Sequence, residues 1–87
     1  MAQNPKLVWT DVDSSNVESV AYDGETKTLA IKYVNGGLYS YDAVDMQVYT
    51  DLVHAESVGK FLNQQIKGRY SFLKWFSENE LLGHLTK

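Results

Sequence analysis

The sequence has 87 residues, 44% hydrophobic and 22% charged, with no cysteine and a formal net charge of −3 at pH 7. That size suits one domain with a modest core; the composition excludes a disordered chain, and the missing cysteines exclude disulfide staples and thiolate metal sites while fitting a reducing compartment. No apolar run is long enough to span a bilayer, and Met1-Ala2-Gln3-Asn4-Pro5-Lys6 lacks the charged-then-apolar order of a secretory signal, so a cytoplasmic protein with no membrane partner is expected.

Leu7 to Thr10 is apolar and β-prone and predicts a short leading strand. The cluster Asp13-Ser14-Ser15-Asn16 is turn chemistry. Val17 to Tyr22 reads as a strand, ended by the Asp23-Gly24 turn signal. Lys27 to Val34 is the clearest strand, with Leu29, Ile31 and Tyr33 on one side and Thr28, Ala30 and Lys32 on the other. Asn35-Gly36-Gly37 supplies residues that accept the positive φ of a tight hairpin, and Leu38 to Asp42 is the next strand. Because side chains alternate across a strand, Val20, Tyr22, Leu29, Ile31, Tyr33, Tyr39 and Tyr41 share one face of an antiparallel meander. The other face carries Ser19, Ala21, Thr28, Ala30, Lys32 and Ser40, a set suited to solvent or a partner.

Beyond Asp42 the period lengthens. Val48, Tyr49, Leu52 and Val53 recur at helical spacing, with Asp45 suited by its charge to the first turn. Ser57 suits the N-cap of a second helix, whose inward positions are Val58, Phe61, Leu62 and Ile66 and whose outward face holds Lys60, Gln64 and Lys67. Gly68 is expected to end it. Ser71 is expected to start a third helix through Phe72, Leu73 and Phe76. Ser77-Glu78-Asn79-Glu80 has capping-box spacing for a short last turn stopping near Gly83. Together these elements predict one α+β domain: an antiparallel β-meander of three or four strands, followed by two or three α-helices packed on one face.

The residues Ser14-Ser15, Val17, Val20, Tyr22-Asp23, Leu29, Ile31 and Tyr33, followed by Gly37, Tyr39-x-Tyr41, Val44, Tyr49, Leu52, Ala55, Ser57-x-Gly59, Phe61, Asn63, Ile66 and Tyr70, resemble the KTSC domain. This is a short module found alone in bacterial and phage proteins and at the C-terminus of some lysyl-tRNA synthetases. The resemblance spans Asp11 to Tyr70. It implies a small β-meander followed by helices, no established reaction, and RNA binding as the candidate role, because of the synthetase setting. Asp45 stands where the family usually has a proline, and Val58, Gln64, Gln65 and Gly68 stand where relatives tend to carry basic residues. Residues 1–70 are therefore read as a KTSC-like domain and 71–87 as a C-terminal helical extension of the same domain.

Charge is unevenly spread. Met1 to Glu56 holds three lysines against nine acids, whereas Ser57 to Trp75 holds Lys60, Lys67, Arg69 and Lys74 with no acid. Interleaved with Tyr70 and Trp75, these cations read either as phosphate contacts beside stacking rings or as a solvated helix face balancing an acidic sheet. Tyr39 and Tyr41 either stack on bases or pack under the helices. Ser14 and Ser15 either donate to an anion in a turn nest or close a turn, and Asn63 either meets a ligand or ties its helix to a strand end. The expected ligand-binding set is Lys60, Lys67, Arg69, Tyr70, Tyr39, Tyr41, Ser14, Ser15 and Asn63, for a nucleotide-type ligand: an RNA segment or a small nucleotide.

His54 and His84 have no metal-ligand partner at helical spacing. No activated nucleophile, glycine-rich phosphate loop or paired-carboxylate motif is present. A non-enzymatic module without metal or cofactor is the expectation. The apolar density of Phe72, Leu73, Trp75, Phe76, Leu81, Leu82 and Leu85 has two readings. Either this tail wraps the domain, or Phe72, Trp75 and Phe76 form an interface with a second copy or another protein.

Overall fold

The computed structural model describes residues 7–85. Its strands are β1, Thr10–Asp11; β2, Val17–Asp23; β3, Thr28–Tyr33; β4, Leu38–Tyr41; and β5, Phe72–Trp75. They form one antiparallel sheet in the order β1-β2-β3-β4-β5, so each strand pairs with its neighbours in sequence. Between β4 and β5 lie α1, Met46–Val53, and α2, Val58–Phe61, which runs on as a π-helical segment over Leu62–Ile66. The last element is α3, Glu78–Leu85. No helix among the described residues is long and apolar enough to cross a membrane. Residues 1–6, inspected above for a signal, and 86–87 lie outside the described residues.

Register sets the two faces. Val20 opposes Ile31, which opposes Tyr39; in the next row Tyr22 opposes Leu29, which opposes Tyr41. These side chains share the front face, as the alternation predicts. An irregularity between Val17 and Ser19 shifts the register of β2. Such a bulge lets Val17 and Val20 enter the same core despite their odd spacing. Across from them, Leu52, Val58, Leu62 and Ile66 complete the front core.

The local signals explain the helix boundaries. Ser57 Oγ accepts the Lys60 N–H at 3.3 Å, capping α2. The Lys67 N–H donates to the Leu62 carbonyl at 2.9 Å, closing a widened last turn, and Gly68 at φ 81° turns the chain out of it. In the β3–β4 hairpin, Gly36 takes φ 96° and the Tyr33 N–H donates to the Gly37 carbonyl at 2.8 Å. Ser77 Oγ caps α3 through the Glu80 N–H at 3.3 Å, and the helix continues past Gly83 to Leu85.

Three expectations are corrected. Phe72–Trp75 is a strand, not the start of a third helix, and raises the sheet to five strands. The cause is the free edge of β4, whose main-chain groups need partners: the Asp42 N–H donates to the Ser71 carbonyl at 2.9 Å, starting the β4–β5 ladder. The helices also do not all sit on one face, because α3 lies behind the sheet. Leu81 and Leu85 pack there with Leu7, Ala21, Ala30 and Leu38, flanked by Trp9, Trp75 and Leu82. The small side chains that suggested a solvent face instead leave room for these leucines. Finally, the leading strand is Thr10–Asp11, because Leu7 and Trp9 are drawn into this back core.

Candidate ligand-binding clefts

The α1 and α2 layer leaves the β4–β5 end of the front face uncovered. A cleft of about 750 Å³ opens there, within the usual range for small-ligand sites. Its floor is a run of rings. Tyr33 meets Tyr39 edge-on with centroids 5.4 Å apart, and Phe72 lies 5.9 Å from both Tyr39 and Tyr41. β3 and β4 present the tyrosines by alternation, and β5 adds Phe72 opposite Tyr41 and Lys74 opposite Tyr39. Lys67, delivered by the end of the π-helical segment, holds its ammonium 5.5 Å from the Tyr33 centroid, and Lys74 holds its own 6.0 Å from that of Tyr39. The β3–β4 turn, Asn35-Gly36-Gly37, forms one wall, and Trp75 and Phe76 another. Among the described residues that line it, two are lysines and none is acidic.

The Tyr33 and Tyr41 phenols stay protonated well past neutrality. Burial pushes Tyr33 above the ordinary value of 10.0, reinforced by Tyr41 beside it, and burial likewise raises Tyr41. Neither of these two phenols therefore carries a charge that repels an anionic ligand near pH 7. A group whose folded pKa is raised contributes stability that is complete below its unfolded pKa and is lost as pH climbs through the folded value. The urea midpoint should accordingly hold steady up to about pH 10 and fall above it, and the fall should shrink in a Tyr33→Phe, Tyr41→Phe double variant. An alkaline decline of equal size in that variant would refute this origin.

The expected site residues divide. Tyr39, Tyr41 and Lys67 join in the aromatic cleft, together with Phe72, Trp75 and Phe76 from the expected interface set. Within it Tyr41 is a core residue at 3% exposure, whereas Tyr39 is half-buried at the surface. Ser14, Ser15, Lys60 and Asn63 gather in a second cleft of about 390 Å³, where Asp13 and Glu56 offset the single lysine. Ser14 Oγ accepts the Asn16 and Val17 N–H groups at 3.4 and 3.3 Å. That is turn closure. Arg69 and Tyr70 line neither cleft: Arg69 Nε donates to the Gln64 carbonyl at 3.3 Å, and Tyr70 packs at the margin of the front core. Trp75 is fixed from behind, its Nε1–H donating to Ser40 Oγ at 2.8 Å. Tyr33 and Asn35 were not among the expected ligand residues, although alternation had already put Tyr33 beside Tyr39; Lys74, read with the basic segment as a candidate phosphate contact but left out of the expected set, reaches the cleft through the β4–β5 pairing.

The model of the KTSC domain matches residues 13–70. A protein of Tsukamurella paurometabola is 39% identical over 59 residues, covering 68% of this chain and 88% of that protein. An uncharacterized protein of Stutzerimonas stutzeri is 36% identical over 59 residues, 68% of this chain and 83% of its own length. A lysine–tRNA ligase of Nostoc punctiforme is 35% identical over 60 residues, which are 69% of this chain but 11% of the ligase. The crystal structure of a KTSC domain protein from Yersinia pestis superposes with a TM-score of 0.78 at 28% identity, over 80% of this chain and 99% of that one. β5 and α3 lie beyond the matched residues. With residues 13–70 matched by the domain model, and the meander and its helical cover shared with the solved KTSC domain protein, this chain belongs to the KTSC domain family.

Proposed function

We propose that the protein is a non-enzymatic binding module whose aromatic cleft takes a nucleotide-type ligand, either a short single-stranded RNA segment or a small nucleotide that it sequesters, in a cytoplasmic setting. The observation that carries this reading is the pairing of an open ring floor with two lysines and no acid in its lining. Phe72 is 57% exposed and offers its face to a base, with Tyr39 beside it. Lys67 and Lys74 lie over rings now and would exchange that contact for phosphate oxygens when a base takes their place. The Asn35 side-chain amide nitrogen supplies a polar group for a base edge, while the Gly36 and Gly37 N–H groups are held by the Tyr33 carbonyl and Asn35 Oδ1.

Charge selects this cleft over the other. The protein as a whole is negative, so long-range attraction of a polyanion is weak. A ligand with one or two phosphates needs only the local pair of lysines, which favours a short or small ligand over a duplex. Kinship with part of a lysine–tRNA ligase is compatible with RNA as the ligand. Calorimetric titration at low salt with a short oligonucleotide panel and a nucleotide panel tests the reading. Heat of binding from one panel is expected; silence from both would end it.

A further inference from the structure

The last strand of the sheet, β5, pairs with β4 on one side, and among the described residues no strand pairs with its other side. What that edge offers follows from the register. Ser71 directs its carbonyl to the Asp42 N–H, and by antiparallel alternation Leu73, opposite Ser40, and Trp75, opposite Leu38, also turn their main-chain groups toward β4. Phe72 and Lys74 therefore turn theirs outward. Phe76 is the next outward position, but its N–H already donates to Glu80 Oε1 at 3.2 Å.

Natural sheets protect such an edge with proline, a bulge, a very short strand or a charged side chain, lysine above all. The opposite edge, β1, is two residues long and bears Asp11. β5 has neither proline nor a register shift; Phe72 and Leu73, exposed by 57% and 44%, stand on it, and Phe76, exposed by 96%, follows its end. Its charged side chain is Lys74, which decides how a second copy can approach.

We propose that β5 pairs antiparallel with β5 of a second copy, about a two-fold axis at Leu73, to make one sheet continuous across both molecules. Main-chain pairing with the front faces aligned allows an axis at Phe72, Leu73, Lys74 or Trp75; at Phe72 the partner of Lys74 is Tyr70, outside the strand, and at Trp75 it is Phe76, whose N–H is already given to Glu80. An axis at Lys74 sets two ammonium groups opposite one another and requires the Phe76 N–H that Glu80 occupies. An axis at Leu73 sets Phe72 against the partner's Lys74, and Lys74 against the partner's Phe72. Each residue then both gives and accepts a main-chain hydrogen bond, and each cation meets a ring instead of another cation. Leu73 meets the partner's Leu73 on the back face. The edge is thus complementary to itself under this operation, which is the argument for a second copy over an unrelated strand. Since Phe72 and Lys74 also line the aromatic cleft, the pairing brings two clefts side by side on the front face. The assembly stands whether or not those clefts hold a nucleotide.

The sequence contains no cysteine, so Leu73→Cys introduces a single thiol on the proposed axis. A non-hydrogen-bonded antiparallel pair holds its Cα atoms about 4.5 Å apart, within disulfide reach. Wild-type protein is expected to show twice the monomer mass by light scattering. Oxidised Leu73→Cys should run as a covalent dimer on a non-reducing gel, with Lys74→Cys largely uncross-linked. Lys74→Pro removes an outward N–H without touching the β4 ladder, so a folded monomer by circular dichroism and light scattering is expected. A monomeric wild type overturns the proposal, including one that takes up an added extended peptide. So does preferential cross-linking of Lys74→Cys.

Discussion

Leu81→Ala is expected to cost about 2–5 kcal/mol, as much as Leu29→Ala on the other side of the sheet. Both leucines are 0% exposed, yet they belong to separate clusters. The back cluster is the smaller one. Ala21 and Ala30 form part of its floor and have no side-chain length with which to close a cavity, so truncation of Leu81 should leave most of the vacated volume empty. A domain of this kind has about 5–15 kcal/mol of stability in all, so either loss is a large fraction of it. Urea denaturation should show a lower midpoint at unchanged slope for both variants. If Leu81→Ala costs less than about 1 kcal/mol while Leu29→Ala is severe, α3 is surface decoration and the back core is not a core.

The front half of this architecture is legible because its signals are local and agree. Leu29, Ile31 and Tyr33 alternate with Ala30 and Lys32, Tyr39 and Tyr41 flank Ser40, Asn35-Gly36-Gly37 marks the hairpin, and Ser57 and Gly68 bracket the second helix. Each is decided within a few residues. The back half is not legible in that way. Phe72-Leu73-Lys74-Trp75 fits a helix, with Phe72, Trp75 and Phe76 at three- and four-residue spacing, and fits a strand equally well by alternation. What decides it is the unpaired edge of β4, thirty residues upstream. Ala21, Ala30 and Ser40 were likewise ambiguous, since small residues suit solvent and suit a closely packed helix. The cleft inherits this division: its tyrosines and Lys67 could be read from pattern and charge, whereas Phe72 and Lys74 become neighbours of those rings only through long-range pairing. Conversely, Lys60 and Asn63 share a helical segment with Lys67 but open onto a different cleft.

That separation makes the binding proposal testable residue by residue. Phe72→Ala should weaken a bound oligonucleotide or nucleotide by about 5- to 150-fold, the equivalent of about 1–3 kcal/mol for one lost stacking contact. Phe72 is 57% exposed, so its removal should disturb the fold far less than the Leu81 or Leu29 truncations. Lys67 and Lys74 act through charge, and charge leaves a different signature. For a single strand, each neutralised phosphate contributes about 0.7 to the slope of log affinity against log salt, so the two lysines predict a slope near about −1.4. Lys67→Gln and Lys74→Gln should each reduce its magnitude by about 0.7, while Phe72→Ala lowers affinity and leaves the slope alone. Lys60→Gln is the control. It lines the other cleft, where Glu56 and Asp13 offset it, and should change neither affinity nor slope. A Lys60→Gln variant that loses as much slope as Lys67→Gln would move the ligand out of the aromatic cleft and with it the argument from the rings.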